Sequence, residues 1–271
     1  MSACNNPASP TVLALIAVTS ACLMLAAPTK GDTTSAKSAD QPEPRVFADA
    51  EGAKLPYLLL KPKDYDPQKK YPLVLFYHGA GERGDDNHAQ WRNGVEVFQK
   101  PSNREKFPCF VIAPQCPAGK QWVNVPWGAD SEVQPPEPSE QLKLSLEILK
   151  SIEKEFPIDP SRLYVAGISM GGYATWDVIT RYPGLFAAAV PVCGGGDEKQ
   201  AAKIKDLPIW AFHGGADNVV KTIRSRNMIA AIKDAGGNPK YTEYAGVGHG
   251  SWGPAFKDPQ LLTWMFEQKK K

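Results

Sequence analysis

The sequence predicts an α/β fold, a mostly parallel central sheet flanked by helices, in a single domain. Three observations carry that expectation. Apolar runs of strand length alternate with amphipathic runs of helix length along most of the chain. The stretches richest in glycine and reactive side chains each follow a strand run, and parallel sheets hold their ligands beyond the carboxyl ends of their strands. The length of 271 residues, a net charge of +2, 42% hydrophobic and 22% charged residues suit one large core.

Residues 1–27 contain no Asp, Glu, Lys or Arg, and Thr11 to Ala27 is almost wholly apolar or small. The run is short for a membrane span and reads as the apolar part of a signal peptide, although it lacks the usual positive n-region. An exported protein, periplasmic or extracellular, is expected. Cys22 after Thr19-Ser20-Ala21 loosely resembles a lipoprotein box, although Thr19 stands where an aliphatic residue is usual; a soluble exported protein is the first expectation, and an N-terminal anchor is the one route to a membrane. Residues 28–44, rich in Thr, Ser, Ala, Lys and Pro without periodicity, read as a disordered linker. The domain occupies 45–271.

Within it, Arg45 to Lys61 predicts two strands around Glu51-Gly52, and Pro72 to Tyr77 a buried strand ending in His78-Gly79-Ala80-Gly81. Asn87 to Lys100 predicts a helix carrying Trp91, and Cys109 to Ala113 a strand. Pro114 to Pro138 is a long proline-rich loop with Trp122 and Trp127. A loop of that length without periodicity is often functional. Ser139 to Phe156 is a helix, capped by Ser139, with Leu142, Leu146 and Leu149 on one face. Strands follow at Leu163–Ala166, Phe186–Val192, Pro208–Phe212 and Lys240–Tyr244, with helices at Tyr173–Ile179, Val219–Ala235 and Asp258–Lys269.

Three cysteines, Cys109, Cys116 and Cys193, fall in this domain. Cys109 and Cys116 bracket one strand and stand too far apart to bridge. Cys116 and Cys193 both follow strands, which leaves open a single optional disulfide on a shared edge. No Cys-x-x-Cys or His-Glu-x-x-His pattern suggests a metal, and no cofactor is implied. The near-neutral charge gives no case for nucleic acid. Nothing in the sequence sets an oligomeric state.

The chemistry centres on Gly167-Ile168-Ser169-Met170-Gly171, which stands between a strand run and a helix run. That is the context of a nucleophile elbow, where a strained turn exposes a serine hydroxyl at a strand end. Serine at neutral pH needs a base to take its proton and an acid to orient the base. His249, in the late loop Gly246-Val247-Gly248-His249-Gly250, is the candidate base, and Asp217, one loop after the strand ending at Phe212, the candidate acid. The order Ser, Asp, His is that of one large hydrolase class. Asp197 is the rival acid, one strand too early. His78 and His213 read as structural hydrogen-bonders and His88 as an exposed helix residue. The N–H groups of Ala80 and Met170 are expected to form the oxyanion hole, with Gly81 the alternative to Ala80.

Together these stretches resemble the α/β-hydrolase esterases of the phospholipase/carboxylesterase and feruloyl-esterase-like group, also labelled predicted peptidases related to prolyl oligopeptidase. The likeness is carried by 69–84, 111–117, 167–176, 190–197, His213 to Asp217 and Gly248-His249, and spans roughly 45–268. It implies the α/β-hydrolase fold, catalytic Ser169, Asp217 and His249, and an oxyanion hole near Ala80 and Met170. Cleavage of carboxylic esters through an acyl-enzyme is the expected activity, with a small-molecule or polysaccharide ester as substrate. Acetyl or feruloyl groups on plant polysaccharide are the particular candidates. The alternatives are a serine peptidase of prolyl-oligopeptidase-like type and a non-catalytic binding protein. Trp252 and Trp127 are the candidate substrate contacts. Glu82 and Arg83 are expected to brace the oxyanion loop.

Overall fold

The computed structural model describes residues 40–270, all within one compact unit that spans Lys37–Lys271. The expected signal segment, and all but the end of the expected linker, lie outside the described residues.

Eight strands form one sheet: β1 (Glu43–Ala48), β2 (Lys54–Leu60), β3 (Tyr71–Tyr77), β4 (Phe110–Pro114), β5 (Ile158–Ile168), β6 (Ala188–Val192), β7 (Trp210–Gly214) and β8 (Lys240–Tyr244). Their order across the sheet is β1-β2-β4-β3-β5-β6-β7-β8. Strand β2 pairs antiparallel with both β1 and β4, and every pair from β4 to β8 is parallel. Crossovers between the parallel strands are made by helices α2 (Glu140–Glu155), α3 (Met170–Arg181) and α4 (Ile223–Asp234) and by shorter turns. Helices α1 (Pro101–Lys106), α5 (Trp252–Ala255) and α6 (Leu261–Glu267) complete the chain.

Central strand β3 is buried along its whole length, so its side chains divide by alternation between two cores. Leu73, Leu75 and Tyr77 pack against α2 and α3, among Leu142, Leu149, Tyr173 and Trp176. Val74 and Phe76 face the opposite side, with Phe256, Leu261 and Met265. Ser139 caps α2 as expected, its hydroxyl accepting the Leu142 N–H at 3.2 Å.

Four expectations are corrected. Strand β1 starts at Glu43, so the last two residues assigned to the 28–44 linker lie in the sheet. Strand β5 begins at Ile158, five residues before the predicted run. The predicted helix over Asn87–Lys100 is replaced by turns, a 3-10 segment at Val95–Gln99 and α1. Asn87, Asn93 and Gly94 take positive φ (50°, 58° and 125°), and the Asp86 carboxylate accepts the His88 and Ala89 N–H groups. Such side chains offer the backbone partners that a helix would otherwise supply. His88 is exposed in a turn rather than on a helix. Finally, Cys109, Cys116 and Cys193 are all free and buried. Cys116 follows β4 and Cys193 follows β6, with β3 and β5 between them. Three strand spacings are about 14 Å, beyond the reach of a disulfide.

Candidate active site

Ser169 lies between β5 and α3 with φ 51° and ψ −117°, a backbone conformation that non-glycine residues rarely adopt and that costs about 1–3 kcal/mol. Two close approaches hold it there. A Cβ on Gly167 would lie 2.7 Å from Thr175 Oγ1, and one on Gly171 would meet the Tyr77 carbonyl and lie 2.8 Å from that of His78. Only glycine lets α3 start so close above β3 and β5. The helix therefore begins with Met170 N–H beside the loop that follows β3.

That loop carries the other expected oxyanion donor. Gly79 lies so near Ser169 that a Cβ there would be 3.6 Å from Ser169 Cβ. Ala80 opens the 3-10 turn Ala80–Glu82, and the first N–H groups of a helical turn have no partner within it. His78 fixes the loop from below: Nδ1 donates to the Gly79 carbonyl and Nε2 accepts the Cys116 N–H at 2.9 Å. Burial pushes its pKa down to about 4, so the ring is neutral and keeps this bonding. Trp122 Nε1 donates to the His78 carbonyl, Arg83 Nε to that of Ala80 at 2.9 Å, and Asn93 Nδ2 to the Glu82 carboxylate. His78, Glu82 and Arg83 thus brace the loop, as the sequence suggested.

Asp217 and His249 arrive on neighbouring parallel strands. Asp217 follows β7 by three residues and His249 follows β8 by five. The two loops are tied together by Gly215 N–H to the Tyr244 carbonyl and Ala216 N–H to that of Val247, each 2.9 Å. His249 Nδ1 stands 2.8 Å from Asp217 Oδ2, and its Nε2 stands 2.8 Å from Ser169 Oγ. The Asp217 carboxylate is wholly buried, whereas the His249 ring is 20% exposed. Burial pushes the Asp217 pKa up. Bonds from His213, His249 and the Val219 and Val220 N–H groups outweigh it and hold the carboxyl well below the usual carboxylate range. His213 Nε2 lies 2.9 Å from the Val220 carbonyl and 3.3 Å from Asp217 Oδ2, and Nδ1 pairs with Ser225 Oγ. It supports the Asp217 carboxylate and has no bond to Ser169.

The rival acid stays apart. Asp197 accepts N–H bonds from Lys199 and Gln134, capping a 3-10 turn and anchoring the loop before α2. Of the two candidate substrate tryptophans, Trp252 sets its ring edge-on to His249, centroids 5.3 Å apart. It also lines a cleft of about 240 Å³ with Asn93, Glu96, Lys100 and Phe256. Trp127 is half-buried under the Arg83 guanidinium, and its carbonyl accepts the Tyr173 hydroxyl. Trp122 belongs to the core.

Two features escaped the sequence reading. The thiol of Cys193 sits beside Asp217 and His249. The side chain of Arg224, wholly buried, forms an ion pair of 2.8 Å with Glu132 in the long loop. Arg224 lies in no motif, and Cys193, although within the 190–197 stretch, carries no spacing that marks it as a neighbour of Asp217 and His249.

A fold of this topology with a serine elbow, an acid after β7 and a histidine after β8 defines an α/β hydrolase. The sequence model of the dienelactone hydrolase family matches residues 131–256, which hold all three residues. Feruloyl esterase B of Piromyces equi is 29% identical over 167 residues, 59% of this chain and 28% of its own length. A probable carboxylesterase of Oryza sativa subsp. japonica is 26% identical over 195 residues, covering 66% and 81%. Among solved structures, a thermostable esterase is 41% identical with a TM-score of 0.79, covering 85% of this chain and 64% of that one. A ferulic acid esterase, 17% identical with a TM-score of 0.62, shares the fold. The fold is that of the α/β hydrolases, and the chain is similar to carboxylesterases and feruloyl esterases among them. It spans less than two thirds of the length of the fungal esterase and of the thermostable one.

Proposed function

We propose that this protein is a serine hydrolase that cleaves carboxylic esters through an acyl-enzyme. The observation that carries the reading is the pair of 2.8 Å contacts by which His249 joins Ser169 Oγ to Asp217 Oδ2. Ser169 Oγ attacks the ester carbonyl as His249 Nε2 takes its proton, and Asp217 holds the ring and stabilises its charged form. The N–H groups of Ala80 and Met170 receive the oxyanion, each donor being worth about 3–4 kcal/mol of barrier. Collapse returns the proton to the departing alcohol, and water repeats the sequence on the acyl-enzyme. Loss of p-nitrophenyl acetate turnover in Ser169→Ala, with the fold intact by circular dichroism, is the expected result. Wild-type turnover by that variant contradicts the assignment.

The substrate class we propose is an acyl group, acetyl or feruloyl, on plant polysaccharide. Supporting it are relatives named feruloyl esterase and acetylxylan esterase/xylanase, and a cleft that pairs Trp252, whose ring meets His249 edge-on, with polar Asn93, Glu96 and Lys100. Trp252 is the proposed platform, and Trp127 the second contact. Methyl ferulate and acetylated xylan hydrolysis, compared between wild type and Trp252→Ala, tests it. Export to the periplasm or beyond, with or without a lipid on Cys22, is proposed from the apolar segment within residues 1–27. Mass spectrometry of the mature N-terminus reads the outcome.

A further inference from the structure

Cys193 is the first residue after β6, wholly buried, with φ 40°. Its sulfur, one carboxylate oxygen of Asp217 and one ring nitrogen of His249 all lie within 4.8 Å of one another, and no other group of three such donors is as close among the described residues. A tetrahedral zinc ion, with bonds of about 2.0–2.3 Å, asks for donors roughly 3.3–3.7 Å apart, so side-chain adjustments of about an ångström suffice. Thiolate, imidazole and carboxylate are the donor types zinc prefers. A separate observation points the same way. Ser251, two residues after His249, is wholly buried, and its hydroxyl has no hydrogen-bond partner among the described residues. It is placed to donate to a thiolate or to fill the fourth position.

We infer that Cys193, Asp217 and His249 form a site for a soft divalent cation, zinc or cadmium, and that its occupation reversibly switches the hydrolase off. The switching half of this inference rests on the proposed hydrolase function; the binding half does not. Binding balances as follows. The Cys193 S–H bond breaks, its proton passes to buffer, and the sulfur forms the metal bond. Thiolate, not thiol, is the ligand, so the metal must displace that proton. The ring of His249 must present a lone pair to the metal. If Nε2 is the donor, it no longer takes the Ser169 proton. If Nδ1 is the donor, the ring proton moves to Nε2, with the same result. The Nδ1 geometry also breaks the His249–Asp217 bond.

The test titrates zinc and cadmium into the full-length protein. Each variant's ester hydrolysis is read against its own metal-free rate, and cadmium–thiolate charge-transfer absorption is followed near the far ultraviolet. Expected are loss of turnover with zinc, recovery with a chelator, and a half-inhibitory concentration that falls about tenfold per pH unit as one proton is released. Cys193→Ser should raise that concentration roughly tenfold or more and remove one thiolate band per chain. His249→Ala, which keeps the cysteine, should weaken cadmium binding as well, so a misfolded serine variant does not end the test. Unchanged zinc sensitivity and an unchanged band in Cys193→Ser overturn the inference. A cadmium band lost in Cys193→Ser, in a protein that turns over no ester, keeps the site and removes the hydrolase reading.

Discussion

Asp217→Asn isolates the proposed orienting acid, because the structure dictates how the amide must sit. Oδ1 of Asp217 accepts the N–H groups of Val219 and Val220 at 2.8 and 3.0 Å. An asparagine keeps its carbonyl oxygen there, since an NH2 group would face two donors. Its NH2 therefore takes the place of Oδ2, 2.8 Å from His249 Nδ1. A donor at that position favours the tautomer in which Nδ1 accepts and Nε2 carries the proton. Nε2 then faces Ser169 Oγ with a hydrogen instead of a lone pair, and the base is lost. Triads elsewhere lose about 10⁴ in kcat on this change, or roughly 5 kcal/mol of barrier. The buried charge-assisted bonds to His249 and His213 go too, which should cost stability by about 1–3 kcal/mol. Steady-state kinetics with p-nitrophenyl acetate between pH 7 and 8, beside a thermal melt, read both. A folded variant within tenfold of wild type refutes the tautomer argument and the role of Asp217 with it.

Three further outcomes are expected. Ala80→Pro removes an N–H at the first position of a 3-10 turn, where proline fits the backbone, and should lower kcat about 10²–10³-fold on short esters; an unchanged kcat moves the donor to Gly81. Gly171→Ala drives a Cβ into the Tyr77 and His78 carbonyls, displacing the elbow and costing roughly a hundredfold in turnover with a lowered melting temperature; wild-type kinetics would mean that α3 does not set the serine. Burial raises the Glu132 pKa to about 7, above its unfolded value. Its favourable contribution is thus complete below about pH 4.5 and is lost as pH rises through about 7. The melting temperature of wild type should therefore fall relative to Glu132→Gln between pH 5 and 8, and parallel curves would show that the carboxyl does not titrate there.

What the sequence made legible was local or ordered along the chain. The elbow is short, and its glycines are required by contacts within a few residues or with the adjoining strand. Asp217 and His249 could be placed because strand-end loops in a parallel sheet share one edge. His78 and His213 were rightly read as structural from their positions before a glycine at a strand end. Less was visible where side chains compete with the backbone. Asn87 to Lys100 carries helix-like spacing, yet Asp86 and Glu96 bond backbone N–H groups, and Asn93 and Gly94 turn the chain. Strand order was not visible either, so Cys116 and Cys193 looked able to share an edge although two strands separate them. The Cys193 thiol comes beside Asp217 and His249 from strand ends far apart in the chain, for which no residue type in the sequence is a signal.

The central claim is that Ser169 is an activated nucleophile, and fluorophosphonate labelling followed by peptide mass mapping tests it most directly. The account predicts stoichiometric adduct on Ser169 in wild type, none in Ser169→Ala, and sharply slowed labelling in His249→Ala. Labelling of Ser169→Ala at the wild-type rate, or no adduct in a folded wild-type protein, contradicts it.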